Sequence, residues 1–392
     1  MADDAPLGGE LSTGPLRLAL MGSRGIPAAY GGYETLMEEI ATRLVDAGHA
    51  VTVFCRSHYT PRALRRHRGV DLVVLPTLRT KHLDTPVHTL LSCLHAAAGQ
   101  LRGRRYDAAL MVNGANALFV PILRLARVPT ALHVDGIEKQ RAKWGRFGRL
   151  IYALSERLAC VVPSVLLTDA AVIRDHYEAR YGAGSEMITY GVDPRPADDA
   201  ASVLDRLGLT PRGYVLYVSR FEPENNPHRV IEGFRAADPT RGGARPIVLV
   251  GGAPYADDFV RGLERAAHDD PRIQLPGPIY GDGYRALQQH AWAYVQATEV
   301  GGTHPALVEG MGYGNALLVN GTPENREVAG DAAVYFDAQR PDTLGRALDA
   351  LADDPARVKA LRSAAAARAR AHYSWDAVTD RYAALFARMA RA

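Results

Sequence analysis

The sequence predicts an α/β protein made of two facing Rossmann-like units, each a doubly wound parallel sheet. Three observations carry that expectation. The chain has 392 residues, enough for two domains of ordinary size. Short apolar runs alternate with amphipathic helical stretches in two successive series, the pattern of βαβ units. Polar or Gly-rich loops follow several of the apolar runs, at the strand ends where such sheets bind ligands.

Residues 1–15 are small, polar and rich in Gly and Pro, and read as a loose tail. Residues 16–194 read as the first unit. Leu16–Met21 is a buried strand, and the loop Gly22–Gly32 leads into a helix over Tyr33–Ala47. Leu36, Ile40 and Leu44 lie on one face of that helix, and Gly48 ends it. Val51–Cys55 closes the first βαβ unit. Leu72–Leu75, Ala108–Val112, Thr130–Val134 and Cys160–Pro163 continue the strand series.

The Pro-rich stretch Asp193–Asp199 separates a second unit, residues 212–374. Its expected strands are Tyr214–Ser219, Ile247–Val250, Ile273–Leu275, Ala293–Ala297, Ala316–Val319 and Ala333–Phe336. Between them lie helices over Pro227–Ala237, Ala256–His268 and Tyr284–His290. A long Ala/Arg-rich helical run covers Asp342–Ala371, and a last helix covers Trp375–Met389.

Composition narrows the class. Hydrophobic residues make up 47% and charged residues 23%, which excludes disordered, collagen-like and disulfide-dense chains. No run reaches the 18 or so apolar residues of a membrane span. The acidic start leads into no apolar core, so no secretory signal is expected. Cys55, Cys93 and Cys160 are few and far apart. They suggest a reducing, cytoplasmic setting and small buried side chains, with no zinc site.

Charge is uneven. Residues 1–195 hold 24 Lys and Arg against 18 Asp and Glu, and the remainder holds 22 against 25. Arg56, Arg62, Arg65, Arg66 and Arg68 form one basic cluster. Lys139, Arg141, Lys143, Arg146 and Arg149 form another, interleaved with Trp144 and Phe147. A solvated face is the plain reading, and peripheral contact with an anionic membrane is the functional one. No nucleic-acid motif is present and none is expected as partner.

Four loops carry candidate chemistry. Gly22-Ser-Arg-Gly-Ile-Pro-Ala-Ala-Tyr-Gly-Gly32 is not a dinucleotide fingerprint, yet Gly31 and Gly32 let backbone amides approach a phosphate or sugar. In Gly301-Gly-Thr-His-Pro-Ala-Leu-Val-Glu309, Thr303 is positioned to cap a helix and Pro305 to fill its first turn. The amides of Gly302, Thr303 and His304 would then face a diphosphate, and Glu309, one turn in, could accept both hydroxyls of a ribose. Arg220 ends a strand where a guanidinium can pair with phosphate oxygens, ahead of Asn225 and Asn226. His133 ends another, just before Asp135-Gly136.

Together these loops resemble the large family four of retaining glycosyltransferases with the GT-B fold, over nearly the whole chain. The shared motifs are the Arg220 loop, Gly301–Glu309, Gly314-Asn315 and Pro323-Glu-Asn-Arg-Glu327. The stretch Arg24-Gly-Ile-Pro-Ala-Ala-Tyr-Gly-Gly-Tyr-Glu-Thr35, with Val134–Glu138 and Lys143-Trp-Gly145, is similar to a subgroup of rhamnosyltransferases in polysaccharide or antibiotic pathways.

The resemblance implies roles. Arg220 would contact the donor diphosphate, Glu309 the ribose, and Gly31-Gly32 the donor phosphate or the acceptor. His133 would sit beside the transferred sugar. Asn225, Asn226, Gly302, Thr303 and His304 would line the donor site. Arg24, Tyr33, Asp135, Glu138 and Trp144 would face the acceptor. Gly191 and Asp193 resemble the turn before the hinge, and Tyr373-Ser-Trp375 begins the helix, about 375–392, that crosses back to the first unit.

The chain departs from the family twice. The usual pair of Glu with seven residues between is broken, because Gly301 stands eight residues before Glu309 and Glu299 is out of register. The Lys that usually follows the Arg is replaced by Asn225 or Asn226. Both losses speak against the family's common hexose donors and are compatible with a deoxysugar such as rhamnose, for which the subgroup resemblance is the stronger ground. The expected partners are a nucleotide-sugar donor and a glycan, lipid-linked or small-molecule acceptor, with no cofactor and, for want of an Asp-x-Asp, no metal. Two other readings on the same architecture are a nucleotide-sugar epimerase or phosphorylase and a non-catalytic sugar-nucleotide binding subunit.

Overall fold

The computed structural model describes residues 14–28, 31–80, 83–136, 146–253 and 257–392. Eight strands form the first sheet: β1 (Arg17–Met21), β2 (Ala50–Arg56), β3 (Arg66–His67), β4 (Val70–Leu75), β5 (Ala108–Val112), β6 (Thr130–Val134), β7 (Val165–Thr168) and β8 (Glu186–Met187). Six form the second: β9 (Val215–Val218), β10 (Ile247–Val250), β11 (Ile273–Gly277), β12 (Ala293–Gln296), β13 (Ala316–Asn320) and β14 (Ala333–Phe336). Their orders are β3-β4-β2-β1-β5-β6-β7-β8 and β11-β10-β9-β12-β13-β14. Every pairing is parallel except β3 with β4. In both sheets the order reverses beside the first strand of its series, and the crevice that binds ligands opens outside the carboxyl ends there.

Continuous apolar runs form the strands because both faces are covered. β5 and β13 are buried at every position. The helix Gly32–Asp46 buries Leu36, Met37, Ile40, Ala41 and Leu44, one face of a 3.6-residue period. The loop after β1 runs so close to its neighbours that two of its glycines are obligatory. Gly22 and Gly25 have φ of +103° and +113°, and a Cβ would meet Val112 O at 2.4 Å and the Cys55 side chain at 2.6 Å.

The crossing helix is present. Val192 N donates to Tyr373 O at 2.6 Å, Ser374 caps the helix Trp375–Arg391, and that helix enters the first unit's core through Trp375, Val378, Tyr382, Leu385, Phe386 and Met389. At Gly191 a Cβ would lie 2.6 Å from the Trp375 ring, so only glycine allows this seat.

Two expected elements differ. Cys160–Pro163 is no strand: the helix Arg146–Ala159 runs up to it, Val161 is exposed, and the strand begins at Val165. The run Asp342–Ala371 divides into Asp342–Asp353 and Pro355–His372, since Pro355 stops one helix and the Asp354 carboxylate caps the next, accepting from Arg357 N at 2.9 Å. Cys55 and Cys93 are buried, whereas Cys160 is partly exposed.

Candidate active site

A cleft of about 740 Å³ lies between the carboxyl ends of the two sheets. Gly31, Gly32 and Thr35 line it from the first unit. Arg220, Gly251, Gly252, Tyr284 and Glu309 line it from the second, with the loop Pro278–Gly281.

Glu309 lies in the helix Pro305–Gly312, which Pro305 starts. Tyr284 Oη donates to its Oε2. Gln288 Nε2 donates to Tyr284 Oη at 2.9 Å, and Asn315 Nδ2 donates to Gln288 Oε1 at 3.1 Å. This chain of bonds fixes the carboxylate at the cleft wall. Burial pushes the Glu309 carboxyl up to about 7, while the Tyr284 bond pulls the other way.

Arg220 follows β9 and is exposed to the cleft, with Nη1 3.7 Å from Glu222. Its loop is held by the asparagines. Asn225 Nδ2 donates to Arg220 O at 2.7 Å, Tyr217 Oη donates to Asn225 O at 2.6 Å, and Asn226 Nδ2 donates to Ala297 O at 2.9 Å. Asn225 and Asn226 are therefore buried supports of the Arg220 loop and do not line the cleft, contrary to the expectation from sequence. A second guanidinium does line it: Arg261, on the helix Asp257–His268.

The loop Gly301–His304 also departs from expectation. Gly302 N donates to Asp135 O at 3.1 Å, and Thr303 N donates to Asp169 Oδ2 at 3.0 Å. Thr303 Oγ1 donates to Asp169 O at 2.6 Å, so it does not cap the helix, whose N-cap position is His304. Gly302, Thr303 and His304 do not line the cleft. Their loop is a clasp between the two units, and the first two spend their amides on the opposite wall. Burial and the nearby Asp135 charge push the Asp169 carboxyl well above its usual range. A second clasp joins Glu327 to Ala171 N at 2.9 Å. At Gly32 a Cβ would lie 2.8 Å from Pro305 Cγ, so the closed crevice requires glycine on that side.

Behind the first wall, His133 is fully buried at the end of β6. Tyr33 meets it edge-on at 5.7 Å and Tyr190 lies 6.1 Å away. Among the described residues neither ring nitrogen has a partner, and burial pushes its pKa down to about 3, so the ring is neutral. Tyr33 Oη donates to His133 O at 3.3 Å. Arg24 turns away: its guanidinium sits 5.3 Å from the Tyr59 ring centroid, and its amide donates to Glu34 at 2.7 Å. Neither His133, Tyr33, Asp135 nor Arg24 lines the cleft. Glu138 and Trp144 lie outside the described residues. Of the first basic cluster, Arg56 is buried against Asp84 at 2.5 Å, while Arg66 and Arg68 find Asp71 and Glu38. Among the described residues no three His, Cys, Asp or Glu are gathered to hold a metal, and no helix is long and apolar enough to cross a membrane.

Two family models match the chain. A glycosyl transferase 4-like domain covers residues 31–190, and glycosyl transferases group 1 covers residues 206–370. The chain belongs to the glycosyl transferases. Its two facing parallel-sheet units have the GT-B fold. A curated relative, the O-antigen chain mannosyltransferase B of Escherichia coli, is 24% identical over 188 residues, 47% of this chain and 49% of the relative. The chain thus matches about half the length of that relative.

Among solved structures, the sucrose-phosphate synthase of Thermosynechococcus elongatus has a TM-score of 0.78 at 17% identity, covering 95% of this chain and 99% of the other. Anabaena HepE in complex with UDP-glucose has a TM-score of 0.75 at 16% identity, covering 94% and 98%. These likenesses concern the fold.

Sequence reasoning missed Tyr284, the pair Gly251-Gly252, Arg261 and Asp169. The Gly-Gly directly after β10 and the Asp directly after β7 both stand at strand ends, the signal that found Arg220 and His133. Tyr284 had no such signal, because its partner Glu309 is 25 residues away.

Proposed function

We propose that this glycosyltransferase moves rhamnose or another deoxyhexose from a nucleoside-diphosphate donor to a glycan, lipid-linked or natural-product acceptor, with retention of configuration. The observation that carries the donor assignment is the lost acid. Gly301 occupies the place of the first Glu, and the Glu299 carboxylate is taken by Gln339 away from the cleft lining. The sugar pocket therefore offers no carboxylate from that loop to a hexose hydroxyl, which fits a deoxysugar. The N-terminal motif's likeness to rhamnosyltransferases supports the same choice, and a polysaccharide or antibiotic pathway follows from it. HepE, crystallised with UDP-glucose, supports a nucleotide as the donor's handle.

In this reading the ribose binds Glu309 and the diphosphate binds Arg220. The acceptor attacks the face the diphosphate leaves, and the departing diphosphate takes the acceptor's proton. Charge builds on the diphosphate as the sugar flattens, and Arg220 stabilises it. Since Gly302 and Thr303 spend their amides across the crevice, Arg220 carries more of that charge than the sequence alone suggested. Arg261 is placed to share it. Activity is expected to survive treatment with a chelator. Loss restored only by magnesium or manganese would overturn this account of charge stabilisation. The enzyme is expected in the cytoplasm, with peripheral contact to anionic lipid.

Calorimetry and donor hydrolysis across nucleotide-rhamnoses and nucleotide-hexoses test the assignment. Turnover of a nucleotide-rhamnose at least about tenfold faster than of hexose donors is expected, the discrimination that a few sugar hydroxyls supply. Preference for a hexose donor would contradict it, and conversion of the donor without acceptor would indicate an epimerase.

A further inference from the structure

The helix Asp84–Leu101 is built inside out. Its buried face carries His88, Thr89, Ser92, Cys93 and Ala96, all but one polar or sulfur-bearing. Its outward face carries Leu90, Leu94 and Leu101, with Leu83 just before it. Leu94 is 49% exposed and Leu101 is 87% exposed. A surface helix in water normally turns its leucines inward. From Thr85 to Leu101 it has no Asp, Glu, Lys or Arg with which to face water.

The surroundings have one sign of charge. Residues 85–134 contain five arginines, Arg102, Arg104, Arg105, Arg124 and Arg127, and a single acid, Asp107, which is bound to Arg17 N at 2.7 Å. All five arginines are exposed. On the adjacent helix Val120–Leu125, Leu125 is 87% exposed between Arg124 and Arg127.

We propose that this face, the outer leucines of Asp84–Leu101 with Leu125 and the flanking arginines, docks the enzyme on an anionic lipid bilayer. Leucines enter the headgroup boundary while arginines pair with lipid phosphates. A second copy of the chain is the weaker occupant, because a two-fold contact through this face would bring the same five arginines against each other. The helix begins after β4, on the crevice side of the sheet, so its docking lays the crevice rim along the bilayer. The face differs from both basic clusters that the sequence singled out. The orientation rests on the glycosyltransferase reading, but the docking does not, and nucleotide binding by the same variants reports on the donor site separately.

The test is co-flotation of the full chain with vesicles. One set is phosphatidylcholine alone, and in the other about a third of the lipid is phosphatidylglycerol. The enzyme is expected to float with the anionic set, less so in high salt, and not with the neutral set. Leu90→Glu with Leu94→Glu should lower binding at least about tenfold at unchanged melting temperature and nucleotide affinity. Arg102→Ser, Arg104→Ser and Arg105→Ser together should remove the salt-sensitive part. No flotation of the wild type, or equal flotation of the leucine variant, would overturn the proposal. So would a wild-type dimer that the leucine variant converts to monomer, which would assign the face to a second copy.

Discussion

On the second unit's wall of the crevice, Glu309 is held by Tyr284, Tyr284 by Gln288, and Gln288 by Asn315. Behind the first unit's wall, out of the cleft lining, His133 packs between two tyrosine rings and neither nitrogen meets a partner among the described residues. One wall has its polar groups fixed before any ligand arrives. The other keeps a buried ring with hydrogen bonds unmade, a state that costs about 1–3 kcal/mol for a neutral group. The contrast matches the division of labour in transfer. In the proposed reading the nucleotide is the constant part of the donor and suits a finished site, whereas the sugar meets the buried ring only if the first wall opens toward it.

Arg220→Ala should show the largest effect. It removes the exposed charge that the proposed reading sets against the diphosphate, and kcat should fall about hundredfold or more, at normal melting temperature. A near-normal kcat would transfer that role to Arg261.

His133→Ala comes next. If a sugar hydroxyl completes this ring in the transition state, kcat and kcat/KM should fall together by about tenfold, with nucleotide affinity unchanged. A lower melting temperature with normal turnover of the folded fraction would make the ring a packing element only.

Tyr284→Phe should have the smallest effect, and it reads the finished wall through pH. In the proposed reading ribose hydroxyls donate to Glu309, so binding draws on the ionised form. Burial raises its pKa to about 7, so nucleotide affinity should be full above that value and fall as pH drops through it. The Tyr284 bond lowers that pKa, so Tyr284→Phe should move the transition to higher pH and weaken binding about fivefold at pH 7. An unmoved transition would separate Glu309 from the pH response.

Much of the fold was legible because buried parallel strands are written as uninterrupted apolar runs. β5, β6, β10 and β14 have the bounds that their sequences suggest. β7 was misplaced because Val161 and Val162 look like a strand yet follow a helix end, and apolar character alone does not separate the two. Within the site, Arg220, Glu309, Gly31 and Gly32 were legible from strand-end position and Gly-rich turns. Thr303 was read as a ligand group because its amide opens a helix, and Asn225 and Asn226 because they stand where the family has a Lys. Their true partners, Asp169, Arg220 O and Ala297 O, are set by closure of the crevice and by loop packing, which local sequence does not carry.

The central claim is that the cleft beside Glu309 binds the donor through its nucleotide. The direct measurement is calorimetry of a nucleoside diphosphate with the wild type and with Glu309→Ala, alongside thermal melting. The wild type should bind without acceptor. The variant should melt normally and lose affinity about hundredfold or more, since two charge-assisted hydrogen bonds of about 1.5–3 kcal/mol each go with the carboxylate. A folded Glu309→Ala protein that binds the nucleotide as tightly as the wild type would contradict the account.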